Sequence, residues 1–348
     1  MNSTKVIVHK KFLKKNLTQN ESFSKSISRF IDNSLIAKEK FISAQNPCLI
    51  TISTKENKIT INDNSGGIDS NKTENDIFKL DINSNKKSDG NGMKLSFFTI
   101  GNRIDIFSNN KTSSRILWLD LDSKDEELKV HSDVCEFDFN KPEGTTIIIS
   151  KLESKFIKLI GKKNFVNDLI KELGIRYRMY IDKGLASIEV NGVLVESVNI
   201  NGKLLVSNKL LNNYNVTLYK GLDKSSSGIE VFINNLMRYD KEEGKSHSSW
   251  KKLTRHKYSF KNCVVVVSCD VDQSKFEKDK DKLFTEIISL IKQNKKNFKN
   301  NTVIIQFEIP IVLAEVLMEH FEVDTAKDLG VKGINCLSEI YKNNKGNF

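Results

Sequence analysis

No stretch of this chain stays apolar for the ~20 residues that a membrane-crossing helix needs. Val303 to Leu317 comes closest, and Gln306, Glu308, Pro310 and Glu315 interrupt it. The N-terminal residues show no signal-peptide pattern either: Lys5, Lys10, Lys11, Lys14 and Lys15 surround only short apolar runs. The five cysteines form no CxxC pair, and their odd number in a chain this long reads as reduced, buried thiols. The expectation is a cytoplasmic protein with no membrane partner. Apolar residues are scarce as well, at 38%. Charges are nevertheless scattered rather than blocked, and Ile, Leu, Val and Phe recur with clear periodicity, which excludes wholesale disorder.

Acidic residues are in deficit, 44 against 55 Lys and Arg, which gives a formal charge of +11. Two readings stay open. Lys and Arg neutralise phosphates, so the excess fits a DNA-binding footprint. Lys, Asn and Ile abound throughout, however, as translation of an AT-rich genome would give. The candidate patches are Lys245–Lys261, with Trp250, Arg255 and Tyr258 interleaved, and Lys292–Lys299. Neither matches a recognised nucleic-acid motif.

The 348 residues leave room for two domains and a tail. Residues 1–20 read as a basic arm. From Glu21 to about Ala44, Ile27, Phe30, Ile31 and Leu35 recur at helical spacing. Leu49–Ser53 and Lys58–Asn62 read as strands, residues 69–89 as a polar, mobile loop, and a helix starts near Gly92. Ile104–Ser108, Ser114–Leu121, Leu128–Phe139 and Thr145–Ser150 complete an antiparallel sheet. A second unit begins near Lys151, with a helix over Phe165–Tyr180 and an Asn191-Gly192 hairpin. Strands follow at Val216–Tyr219, Ile229–Ile233 and Cys263–Ser268, then a helix over Phe276–Gln293. Pro310 is placed to open a further helix. The order implies two successive α+β units without an internal repeat: 21–155, 156–300, and a C-terminal piece 301–348.

Three short blocks carry the chemistry. In Asp32-Asn33-Ser34, Asn33 lies opposite much of the apolar stripe of its helix. Asp63-Asn64-Ser65-Gly66-Gly67-Ile68 ends a strand, and its glycines let backbone come close to a partner. Gly90-Asn91-Gly92-Met93-Lys94 is a glycine-rich turn opening a helix, where exposed N–H groups and a lysine can hold phosphate oxygens. Gly144-Thr145-Thr146 opens the last strand of the first unit.

Together these blocks resemble the ATP site shared by DNA gyrase B, the ninety-kilodalton heat-shock chaperone, sensor histidine kinases and MutL, the GHKL superfamily. The resemblance implies a Bergerat-type α/β sandwich, helices on a mixed and mainly antiparallel sheet, followed by a smaller α+β transducer-like domain. It implies ATP and Mg²⁺ as ligands, with Asn33 on the metal and Asp63 on the adenine amino group. It also implies Gly67 and Ile68 at the base, Gly90, Gly92, Met93 and Lys94 at the phosphates, and Thr145 closing the base pocket. One position departs from the pattern. Where hydrolytic members place a Glu, one turn before the Asn, this chain has Arg29, and a guanidinium cannot accept a proton. The stretch Gly228–Arg238 and Val264–Phe276 looks like the transducer of the MORC and MutL branch, with Lys275 as its γ-phosphate lysine.

Three functional readings follow. The first is an ATP-operated clamp that homodimerises on ATP, with slow hydrolysis, in a prokaryotic DNA-processing or defence setting. The second is a sensor that binds ATP without chemistry and reports to a partner effector protein. The third is a basic nucleic-acid-binding scaffold.

Overall fold

A five-residue apolar stripe starts the architecture. In the computed structural model, helix α1 (Phe23–Phe41) buries Phe23, Ile27, Phe30, Ile31 and Leu35. Each such side chain contributes about 1.5–3 kcal/mol as an upper estimate. The structure describes residues 14–15, 22–41, 46–78, 91–124, 129–135, 142–221, 227–255 and 262–299. All of them lie in one compact unit, residues 1–299.

The stripe packs on an eight-stranded sheet. Its strands are β1 (Cys48–Ser53), β2 (Ile59–Asp63), β3 (Gly101–Asn109), β4 (Ser114–Asp120), β5 (Val130–Cys135), β6 (Gly144–Leu152), β7 (Ala186–Val190) and β8 (Val193–Leu194). The spatial order is β5-β4-β3-β6-β2-β1-β7-β8. Every pairing is antiparallel except β1 with β7, where Ile50 lies opposite Ile188. Strand alternation sends Cys48, Ile50 and Ile52 inward, with Ile59 and Ile61 from the neighbouring strand. Helix α3 (Asn91–Ile100) joins α1 over this face through Phe97 and Phe98.

The first sheet does not end at the boundary expected near residue 155. Helices α4 (Ser154–Ile160) and α5 (Phe165–Arg176) bury Phe156, Phe165, Leu169 and Leu173 in the same core, and β7 and β8 extend the sheet. The reason is the crossover: a strand that pairs parallel with β1 needs a helical return, which the chain supplies within 154–182. The single helix expected over Phe165–Tyr180 is two. It breaks at Tyr177 and restarts as α6 (Arg178–Asp182). Tyr177 is fully buried, with φ −104° and ψ 11°.

A five-stranded sheet forms the second layer, in the order β12-β11-β13-β10-β9. The strands are β9 (Gly202–Leu210), β10 (Tyr214–Gly221), β11 (Gly228–Ile233), β12 (Leu236–Tyr239) and β13 (Cys263–Cys269), with β11 and β13 parallel. One face packs against α8 (Ser248–Arg255) and α9 (Gln273–Gln293) through Trp250, Phe276, Leu283, Phe284 and Ile287. On the other, Phe232, Met237 and Val266 meet Ile175 and Met179. The α5–α6 pair therefore stands between the two sheets. Arg178 and Glu230, both buried, form an ion pair of 2.5 Å across that junction. The class is α+β, with a large mixed and mainly antiparallel sheet carrying helices.

Several elements were not anticipated. Helix α2 (Glu74–Phe78) occupies part of the stretch read as a loop. Its start is a reciprocal cap: Asp76 N–H donates to Thr73 Oγ1, and Thr73 N–H to Asp76 Oδ2. Strand β9 is mostly exposed and so lacks clean alternation. Helices α7 (Lys241–Ser246) and α8 run through the described part, 245–255, of the stretch read as a basic patch, and Trp250 is buried in the core rather than free to stack on a base. Tyr258, the segment 301–348, the Pro310 helix and most of the 1–20 arm lie outside the described residues. Among the described residues no helix is long and apolar enough to cross a membrane.

Candidate functional site

Three consecutive residues of α1 point three ways, because each step turns about 100°. Asp32 is buried and faces the α5–α6 junction, where Tyr177 Oη donates to its Oδ1 at 2.8 Å and Arg176 lies 3.7 Å from Oδ2. Asn33 is exposed, on the side away from the stripe as expected. Ser34 is buried and donates from Oγ to Asp63 Oδ2 at 2.7 Å. One turn on, Lys38 is also buried and donates to the Asn64 carbonyl at 3.2 Å. The block read as one unit is thus divided among an anchor, an open amide and a support for Asp63.

Asp63 ends β2 and organises the loop after it. Its Oδ1 accepts from Ser65 N at 2.9 Å, Ser65 Oγ at 2.6 Å and Thr145 N at 3.1 Å. A carboxylate offers about four acceptor positions, roughly two per oxygen. Oδ1 is therefore saturated, while Oδ2 holds only Ser34 and can take one more donor. Burial, with the charge of Asp63 adding and that of Lys38 opposing, pushes the neighbouring Cys48 thiol up to about 12. It stays neutral at physiological pH.

The glycines of the loop have specific work. Gly67 has φ +75°, and a Cβ there would sit 2.5 Å from the Asn109 carbonyl oxygen. Gly144 lets β6 start directly over Asp63, where a Cβ would fall 1.9 Å from the Asp63 carbonyl oxygen. Ile68 closes the loop: its N–H donates to Ser108 Oγ at 2.6 Å, and its carbonyl accepts from Asn110 Nδ2 at 2.5 Å.

The start of α3 faces α1. Gly90 lies outside the described residues. A Cβ on Gly92 would stand 3.4 Å from Cδ and 3.5 Å from Nη1 of Arg29, so the arginine lies along this turn. Met93 is half-buried against the first core. Lys94 is buried, and that burial, with the charge of Lys72 adding, lowers its pKa. The structure thus brings Arg29 against Gly92 at the start of α3, with Lys94 buried in the same first turn, and gathers Asp63, Gly67, Ile68 and Thr145 around the loop after β2, with α1 carrying Asn33 and Ser34. Lys275 stands elsewhere, exposed in the first turn of α9, where its N–H donates to Asp272 Oδ1 at 2.8 Å.

This donor set fits a purine triphosphate. One acceptor position is open on Asp63, and two cations and a helix start supply complementary charge for phosphates. Among the described residues no cluster of three or more His, Cys, Asp or Glu could hold a metal ion. A magnesium ion at Asn33 would then depend on oxygens brought by the nucleotide. Sequence reasoning quoted Ser34 without giving it a role and missed Lys38 and Ser108, because the partners of all three are distant in the chain and leave no local pattern.

Residues 21–142 match the model of a family described as histidine kinase-, DNA gyrase B- and HSP90-like ATPase. The matched stretch holds Arg29, Asn33, Asp63, Gly67, Ile68, Gly90, Gly92, Met93 and Lys94, and stops short of Thr145 and Lys275. No curated protein matches the chain. Among solved structures, the chain is similar to the ATPase region of Saccharomyces cerevisiae topoisomerase II, at 13% identity and a TM-score of 0.46. That alignment covers 71% of this chain and 73% of the other.

Proposed function

We propose that the chain is an ATP-binding conformational switch. The observation that supports this best is Asp63, a carboxylate held by four hydrogen bonds with one acceptor position left. Asp63 takes the exocyclic amine of the base, with Gly67 and Ile68 beside it and Thr145 bracing it. Arg29, Lys94 and the N–H groups at the start of α3 take the phosphates. Asn33 is the residue to hold Mg²⁺, which when bound supplies charge neutralisation between phosphates.

The finer reading is a clamp of the MORC or MutL kind, in which ATP joins two copies of the chain. ATP favours the closed form only as far as it binds that form better. The links from α1 to the second layer suit such coupling. Lys25 Nζ meets Glu243 Oε1 at 2.7 Å, and Tyr180 Oη donates to Glu39 Oε1 at 2.6 Å and lies 3.3 Å from the Asn234 carbonyl. In this reading Lys275 reaches the γ-phosphate in the closed form, and DNA or an effector protein is the client, in a prokaryotic DNA-processing or defence setting. Sedimentation of the chain with and without ATP tests the clamp: ATP-dependent dimers support it, and a monomer under both conditions overturns it.

Arg29 favours a second reading, a sensor with little or no hydrolysis. A general base contributes about 10²–10⁴-fold to rate, and a guanidinium cannot serve as one. Phosphate release from ATP by wild type and Arg29→Glu tests it. Turnover gained by the variant supports the sensor; rapid wild-type turnover lost in Asp63→Ala overturns it.

A further inference from the structure

Ser34 and Lys38 sit one turn apart on α1, so their side chains leave the same face of the helix. Both reach the end of β2. Ser34 Oγ donates to Asp63 Oδ2 at 2.7 Å, and Lys38 Nζ donates to the carbonyl of the next residue, Asn64, at 3.2 Å. On β1, the Cys48 thiol feels the charges of both Asp63 and Lys38. A carboxylate and an ammonium therefore share one corner of the fold.

Neither group is filled. Lys38 is only 8% exposed, and the Asn64 carbonyl takes one of the three N–H groups that its ammonium carries. Asp63 Oδ2 keeps an acceptor position beside Ser34. Among the described residues Lys38 has no other hydrogen bond and no ion pair, so the two charges do not close on each other. Burying an ammonium with donors unmet is costly, and a ligand that brings acceptors removes the cost. The partner that suits an unmet acceptor near an unmet donor is an edge carrying a donor beside an acceptor. Adenine has that edge: its exocyclic amine donates, and the ring nitrogens N1 and N7 that flank the amine accept.

We propose that Lys38 is a specificity-determining residue for the base. It donates to the ring nitrogen beside the amine while Asp63 Oδ2 takes the amine, so the two side chains recognise adenine as a donor–acceptor pair. This rests on the nucleotide reading above. Asp63 alone would be indifferent to the ring nitrogens, so sensitivity to them belongs to Lys38.

Titration calorimetry of the full chain with ATP, 1-deaza-ATP and 7-deaza-ATP, each with magnesium, is the test. Each analogue keeps the amine and replaces one flanking nitrogen by C–H. Wild type binds one of the two about 10- to 100-fold more weakly than ATP, the loss expected for a hydrogen bond from a charged donor, and that analogue names the nitrogen contacted. Lys38→Met loses the same factor for ATP, leaves the sensitive analogue unchanged and no longer tells the two apart. Lys38→Gln keeps a donor without the charge and retains part of the difference. The wild-type comparison needs no variant, so it decides even where a substitution disturbs folding. Wild type that binds ATP and both analogues equally, or a preference that survives in Lys38→Met, overturns the role of Lys38 while the nucleotide site stands. Wild type that takes none of the three overturns both.

Discussion

Replacing Asp63 separates its structural role from its proposed recognition role. In Asp63→Ala, Ser34 Oγ, Ser65 Oγ and the N–H groups of Ser65 and Thr145 lose their acceptor. The hydroxyls can turn, and Ser34 Oγ already lies 3.3 Å from the Phe30 carbonyl. The two N–H groups cannot turn. At about 1–3 kcal/mol for each unsatisfied donor, less what entering water restores, the loss is about 2–4 kcal/mol. Asp63→Asn behaves differently. Its Oδ1 still accepts from both N–H groups, and its Nδ2 can donate to Ser34 while the serine hydroxyl turns to Phe30. Only the charge assistance is lost, worth about 1 kcal/mol. Amide hydrogen exchange at Ser65 and Thr145 measures this locally. The Ala variant should exchange about 30- to 1,000-fold faster there, and the Asn variant within about tenfold of wild type. Equal acceleration in both variants, or none in either, would refute the claim that this carboxylate organises the loop.

Three further outcomes are expected. Arg178→Ala leaves Glu230 buried with only Lys241 at 3.7 Å and strips the cation from the Phe232 ring; urea unfolding should register a loss of about 3–5 kcal/mol, most of it restored by Arg178→Met with Glu230→Leu. Gly67→Ala drives a Cβ against the Asn109 carbonyl at positive φ, so its melting temperature should drop by more than the roughly 2–4 °C that 1 kcal/mol represents. Burial, then Lys72, holds Lys94 below the ordinary 10.5, so the unfolded chain binds its proton more tightly. The penalty is full below the lowered pKa, and stability of the ligand-free protein rises as pH climbs from there toward 10.5. Urea midpoints across that window should show the rise in wild type and lose it in Lys94→Met.

Legibility in the sequence followed the range of the interactions. The stripe of α1, the alternation of β1 and β2 and the Asn191-Gly192 turn, with φ of 51° and 87°, are set by neighbours in the chain and were read correctly. Asp63, Gly92 and Lys94 stood out in the sequence because each belongs to a glycine-containing block at an element end. The capping pair Thr73–Asp76 and the Asp240–Glu243 capping box were equally local signals that polar composition hid. The boundary near 155 failed because β7 joins β1 across more than a hundred residues. Trp250 was read among its basic neighbours, while Phe276, Leu283 and Phe284 of α9, with which it shares the second core, come later in the chain. Arg29 on Gly92 needed the packing of two helices.

Base recognition by Asp63 is tested most directly by comparing ATP with inosine triphosphate, which carries an oxygen where adenine has its amine. The account predicts that wild type binds ATP at least about tenfold more tightly, since the inosine oxygen meets a carboxylate with no proton to give. In Asp63→Asn the open position becomes a donor, and the preference should reverse. Equal affinity for the two nucleotides in wild type, or a preference that the Asn substitution leaves intact, would contradict it.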